Sequence, residues 1–197
     1  MKHLVRICLL TAAVVAAIVL CPQQSVRADS PESPSDVVNA AFGALFQLDI
    51  ENYAGYMHPE ALSRLKAMLW PAVVAKPTGD TANTASALVQ LLALEVVDDA
   101  PVDISPPEFF VKLMSALMRI SPDLRESMKL SKHEVLGEVA ENDSLVHCVL
   151  RVSVTEGEKT GTKVELITVK RSEDGWKLML STDLEAAAAR LGRVNKK

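Results

Sequence analysis

Two tyrosines and a histidine stand close together in the first third of the chain, Tyr53, Tyr56 and His58, with Asp49 one helical turn before Tyr53. A carboxylate or imidazole can move a proton while a phenol holds a hydrogen bond on the oxyanion that develops. Together such groups would do general acid–base chemistry. His147, Arg151 and Asp183, far downstream, are the other residues able to join such a site. A plainer role is available for each. Tyr56 and His58 would cap a junction between helices, and His147 and Arg151 would lie on the solvated face of a strand. The plainer role is the one adopted, so no catalytic residue is assigned. Tyr53, Tyr56, His58, Phe110, Met114, His147 and Arg151 are instead taken as candidates to line a binding pocket.

No phosphate-binding loop, dinucleotide fingerprint, His-Glu-x-x-His run or paired-cysteine motif occurs. Beyond the first residues, His58, His133 and His147 are widely separated in sequence. The expectation is therefore no metal and no cofactor. With 21 Lys and Arg against 25 Asp and Glu, the net charge of −4 lacks the basic excess of a nucleic-acid coat, so no nucleic-acid partner is expected.

The elements that must position these residues follow from periodicity. Ser33-Pro34-Ser35-Asp36 has the order of a helix start, with a capping serine, proline at the first helical position and an acid at the third. Val38, Ala41, Phe42, Leu45 and Phe46 then repeat on one face. A short helix or turn is expected over 49–56. Another helix opens at His58-Pro59-Glu60, buries Leu62, Leu65 and Leu69, and is expected to end at Pro71. Residues 76–83 are expected as a loop, 85–97 as a buried helix and 98–107 as a proline-bearing loop. Ser105-Pro106-Pro107-Glu108 then starts a helix with an apolar stripe through Phe109, Phe110, Leu113, Met114, Leu117 and Met118. Its methionines suit either a core or an adaptable pocket wall.

From about Leu130 the period changes to two. Val146, Cys148, Leu150, Val152 and Val154 form one buried face, which Val164, Leu166 and Thr168 are expected to continue in the next strand, with Ile167 and Val169 opposite. Asn142-Asp143-Ser144 and Asp174-Gly175 mark tight turns, and residues 157–161 a longer charged tip. Trp176, Leu178 and Leu180 are expected to face the helices. A short alanine-rich helix over 184–191 and a frayed end close the chain. Helices followed by an antiparallel meander of about four strands make one α+β domain.

Lys2 and Arg6 precede an apolar run from Leu9 to Leu20, and Val26-Arg27-Ala28 follows Pro22. This is the order of a secretory signal peptide over 1–28, with the domain over 29–197. The run is shorter than the ~20 residues of a membrane-spanning helix, so no span is expected once the signal is removed. Lipid attachment at Cys21 is the alternative, although Leu20 stands where such signals carry a small residue. Cleavage removes Lys2, Arg6, Arg27, Cys8 and Cys21, leaving 18 basic against 25 acidic residues and Cys148 alone. The expected location is secreted or periplasmic, and Cys148 is expected in the core.

The stretch from Ser144 to Thr182 has a Val/Leu-rich strand, a charged hairpin, Val164-Glu165-Leu166-Ile167-Thr168-Val169 and Glu173-Asp174-Gly175-Trp176-Lys177-Leu178. It resembles the closing strands of the nuclear transport factor 2-like, cystatin-like α+β superfamily, particularly its small secreted bacterial members. Leu48-Asp49-Ile50-Glu51-Asn52-Tyr53 resembles the family's second helix. Residues from about Leu62 to Arg125 depart from the family pattern as a helical elaboration. The resemblance implies a curved sheet wrapped by helices into a cone with an apolar pocket, and a sheet face through which members often dimerise. Some members are isomerases, dehydratases or cyclases, and others bind ligands or proteins, so fold alone does not choose. The reading adopted is an exported non-catalytic domain that binds a small apolar molecule or a protein partner. The alternative is an isomerase or lyase acting on a small organic substrate.

The leader makes a direct prediction. N-terminal sequencing of exported protein should read from Asp29, whereas an intact Met1 would identify an anchor and a lipidated Cys21 the alternative signal.

Overall fold

The computed structural model describes residues 33–74 and 82–193. The signal-peptide reading, most of the 76–83 loop and the frayed end lie outside these residues. The described chain runs as helices, then a four-strand antiparallel sheet, then a closing helix. No described helix is long and apolar enough to cross a membrane.

Helix α1 spans Pro34–Phe46 and starts as expected: Ser33 Oγ accepts from the Asp36 backbone, and Asp36 accepts in return from the Ser33 backbone. It buries Val38, Ala41, Phe42 and Leu45. Leu48 ends it at a φ of +62°, with Asp49 N–H donating to Ala44 O and Leu48 N–H to Leu45 O. This six-to-one plus five-to-two closure usually takes a glycine at the positive-φ position. Helix α2 spans Ile50–Gly55, with Asp49 as its cap, its carboxylate accepting from Asn52 N–H.

Helix α3 spans Pro59–Val74, so Pro71 lies inside it rather than at its end. Losing one backbone bond is tolerated there because Ala72 and Val73, just beyond, are buried. Helix α4 spans Ala82–Leu91. The expected buried helix over 85–97 is therefore cut short, and Val96 and Val97 form an exposed two-residue strand, β1. It pairs with β2, Ala100–Pro101, across Asp98 and Asp99, both at positive φ as a tight mirror-type turn demands. Helix α5 spans Pro106–Ile120, capped by Ser105 Oγ accepting from Glu108 N–H, and α6 spans Pro122–Lys129.

Strands β3 (Ser131–Asn142), β4 (Leu145–Glu156), β5 (Lys159–Ser172) and β6 (Gly175–Leu178) pair in sequence order, and α7 spans Thr182–Arg193. Val146, Cys148 and Leu150 are buried as expected. On β5 the expected parity is reversed. Ile167 and Val169 are buried, opposite Cys148 and Val146, while Val164 and Leu166 are 57% and 59% exposed. Both faces of β5 are apolar, so alternation alone could not choose, and the register with β4 decides. One turn is tighter than expected, and another is tight as expected but shifted by one residue. Glu156 pairs with Lys159 around Gly157 and Glu158, and Ser172 pairs with Gly175 around Glu173 and Asp174. Gly175, not the corner pair, takes the positive φ of +105°. Trp176 is on the expected side but only half-buried at the end of the sheet, with the Arg171 guanidinium 5.6 Å from its ring centroid.

The main core joins α1, α2, α3 and α5 to β4, β5 and β6. Phe110→Ala should cost ~3–5 kcal/mol, as large core truncations do. Leu166→Ala should stay within ~0.5 kcal/mol, as a surface change does. Denaturant melts of the two variants check the face assignment, and a large loss at Leu166 would reverse it.

Candidate functional site

Residues 56–58 leave α2 beside β6 and are held there by backbone bonds. Leu178 N–H donates to Tyr56 O, and His58 N–H to Leu178 O, both at 2.8 Å, making Met57 and Leu178 a parallel bridge. Helices α1 and α2 and this bridge do not fill all the space over β5. A chamber of about 180 Å³ remains. Its walls are mostly apolar, with Phe42 and Leu45 from α1, Met57, Ile167, Leu178 and Leu184. Tyr53, Glu165 and Ser181 bring polar side chains, and Thr168 also borders the chamber, although its hydroxyl pairs with His147 on the other face.

Glu165 reaches this wall because it shares the inner parity of Ile167 and Val169. Its carboxylate meets Lys163 Nζ at 2.9 Å, a partner two residues along the same strand. Tyr53 sits in the first turn of α2, its ring centroid 5.8 Å from that of Phe110. Burial, then the Glu165 charge, pushes its phenol up to about 12. At neutral pH it is a hydrogen-bond donor and not a proton acceptor. Ser181 Oγ accepts from Leu184 N–H at the start of α7, and Thr168 Oγ1 lies 3.1 Å from His147 Nδ1.

A second, larger and more open cavity of about 590 Å³ lies outside the sheet's end. It runs between α2, the starts of α3 and α5, and the β5–β6 turn. Glu51, Glu108 and Asp174 line it, and Lys177 at its edge donates to Gly55 O at 2.8 Å.

Of the residues named from the sequence, Tyr53 lines the chamber, and Phe110 is buried behind it. Met114, one turn along α5, and Tyr56 pack against the same core. His58 precedes α3, its Nδ1 accepting from Glu60 N–H at 3.2 Å. Burial, then the Lys170 charge, lowers its pKa. His147 and Arg151 alternate with the buried residues of β4 and so lie on the outer face of the sheet. There His147 Nε2 is 3.0 Å from Glu141, and Arg151 donates to Glu134 at 2.7 Å. The structure therefore does not bring these two to the chamber. Asp49 is engaged as a helix cap, and the Asp183 side chain lies outside the described residues.

Cys148 is buried on the inner face, its thiol pushed up to about 11 by burial and then by Glu138. Such a thiol is a small core residue rather than a nucleophile. Among the described residues no group of three or more His, Cys, Asp or Glu is placed to hold a metal. Sequence reasoning missed Glu165. The signal was present, a carboxylate two residues before Ile167 on the parity that the register buries, but it was hidden by assigning β5 the opposite face.

Raising the Tyr53 pKa has a consequence for stability. The folded chain holds this proton more tightly than the unfolded chain, so its contribution is whole below the ordinary value of 10.0 and is lost as pH rises toward about 12. Base titration of stability should show that loss in the native chain and a flatter profile in Tyr53→Phe. Phenolate absorbance should place one high-pH ionisation on Tyr53.

No family model matches the chain, and no curated protein matches it. Among solved structures it is similar to an NTF-2 like protein of unknown function from Shewanella oneidensis MR-1. The two share 13% identity over 74% of this chain and 90% of that one, with a TM-score of 0.40. That protein's function is unknown, so no activity comes with the likeness.

Proposed function

We propose that the chain is an exported, non-catalytic binding domain that takes a small, largely apolar molecule into the chamber beneath α1 and α2. The observation that carries this reading is the chamber itself, about 180 Å³ with mostly apolar walls and a few polar groups. A dry apolar cavity of ~150 Å³ is enough to hold benzene. Concave, mainly apolar sites with few polar groups are the usual form of a small-molecule pocket.

Proton transfer at neutral pH works best with a group whose pKa lies near the operating pH. Tyr53 is held at about 12, and His147 is across the sheet. That supports binding over turnover. The pocket-enzyme alternative rests on Glu165 as a base beside the Tyr53 donor, a carboxylate and a phenol in one chamber.

A second reading concerns a protein partner, including a second copy of the chain. Val139, Val164 and Leu166 are each more than half exposed on the outer face of the sheet, where Val149 lies between β3 and Leu166. Contiguous exposed apolar surface of this kind marks interaction sites.

Benzyl alcohol tests the pocket. At saturation it should raise the melting temperature by several degrees, because a ligand bound only to the folded state stabilises it by mass action. Leu184→Trp, which fills the chamber, should abolish the shift, while Tyr56→Phe and His147→Ala leave it nearly intact. A shift that survives Leu184→Trp would overturn the assignment. Turnover of a carbonyl-bearing ligand, lost in Glu165→Gln with folding kept, would establish the enzyme. Sedimentation of the same samples with Leu166→Glu reports on the outer face.

A further inference from the structure

We propose that the chamber selects small apolar ligands carrying a primary amine, and rejects the matching carboxylates. The proposal rests on the pocket reading above and adds the ligand's charge to it.

The argument begins with the charges on the wall. Glu165 contributes a carboxylate, and among the described residues no lysine, arginine or histidine lines the chamber. An anionic head group entering would be desolvated beside a like charge with no cation to meet it, which is costly. An ammonium head group would be desolvated beside an opposite charge, and charged hydrogen bonds are the stronger kind. The Glu165 charge reaches the interior, because it adds to burial in raising the Tyr53 phenol. Two of the walls, Phe42 and Tyr53, are aromatic, and ring faces attract cations and not anions.

Lys163 is the competitor to consider. Its ammonium meets Glu165 Oε1 at 2.9 Å, but its side chain is 62% exposed against 31% for Glu165. The bridge therefore sits toward solvent, where such pairs contribute little, and it uses one of the two carboxylate oxygens. The remaining polar groups are neutral, offering an anion at most hydroxyl donors and no positive charge. Ser181 Oγ already accepts a backbone N–H, and Thr168 Oγ1 meets His147. The Tyr53 hydroxyl likewise is a neutral donor and does not supply a positive charge.

Calorimetry at neutral pH and low salt with benzylamine, benzyl alcohol and benzoate tests this on the full chain. The three probes share a body and differ in head group. Benzylamine should bind most tightly, benzyl alcohol more weakly and benzoate not measurably. Glu165→Gln should weaken benzylamine roughly tenfold, the scale of one charged hydrogen bond, and leave benzyl alcohol unchanged. Lys163→Met should tighten benzylamine, and this arm decides if melting shows that Glu165→Gln does not fold. Benzoate binding as tightly as benzylamine, or benzylamine indifferent to both variants, overturns the charge selection while the pocket stands. Binding by none of the three probes overturns the pocket as well.

Discussion

The parity of β5 governs what this fold can do. Side chains on a strand alternate between faces, so burying Ile167 and Val169 against the helices leaves no choice for their neighbours. Glu165 must turn inward, and Val164 and Leu166 must turn out. One register places a carboxylate in the wall of a mainly apolar chamber and an apolar strip on the opposite surface. A slip of one residue would bury Leu166, expose Ile167 and turn Glu165 out of the chamber. Cys148 opposite Ile167 and Val146 opposite Val169 hold that register by extending the buried face across β4.

The helices cover this face from fixed points. Ser35 donates its backbone N–H to Glu138 at 2.7 Å, and its hydroxyl to the same carboxylate, tying the start of α1 to β3. At the other end, the parallel bridge between Met57 and Leu178 ties the exit of α2 to β6. The turn at Leu48 joins α1 to α2 in three residues, between these two attachments. Lys170, bonded to Glu60 at 2.5 Å, repeats the same device between β5 and the start of α3.

How much of this was legible depends on how local the deciding interaction is. The caps at Ser33, Asp49 and Ser105 are local, and their side chains bond to backbone three residues on, as their spacing implies. The change of period near Leu130 is also local, and it places the four-strand meander correctly. Pro71 misled because a proline's local cost was outweighed by the burial of Ala72 and Val73 in distant contacts. Residues 96 and 97 misled because their apolar character continues a helical run, while Ala93 at a φ of +48° has already ended it. Glu165 was illegible for the deepest reason. Its face is decided by pairing with another strand, and β5 offers apolar residues on both sides. Tyr53 was legible as a group able to do chemistry, but not its raised pKa, since that follows from its burial and from Glu165.

The central helical elaboration has a use in this arrangement. Val73, Leu92, Leu94, Phe109 and Ala116 form a core of their own, separate from the main one, with Trp70 edge-on to Phe109 at 6.0 Å between centroids. Lys66 strengthens it, lying 4.9 Å from the Trp70 ring centroid and bonded to Asp103 and the Ile104 carbonyl. Successive residues of a helix point about 100° apart. Phe109 therefore locks into the second core while Phe110 turns to the first, where its ring meets Tyr53. Helix α5 is held by both. Both rings are fully buried, so rotation of the helix about its own axis could only withdraw them from their cores. The elaboration thus fixes the back of Tyr53, and with it the direction from which a neutral phenol faces a chamber whose charged wall is Glu165.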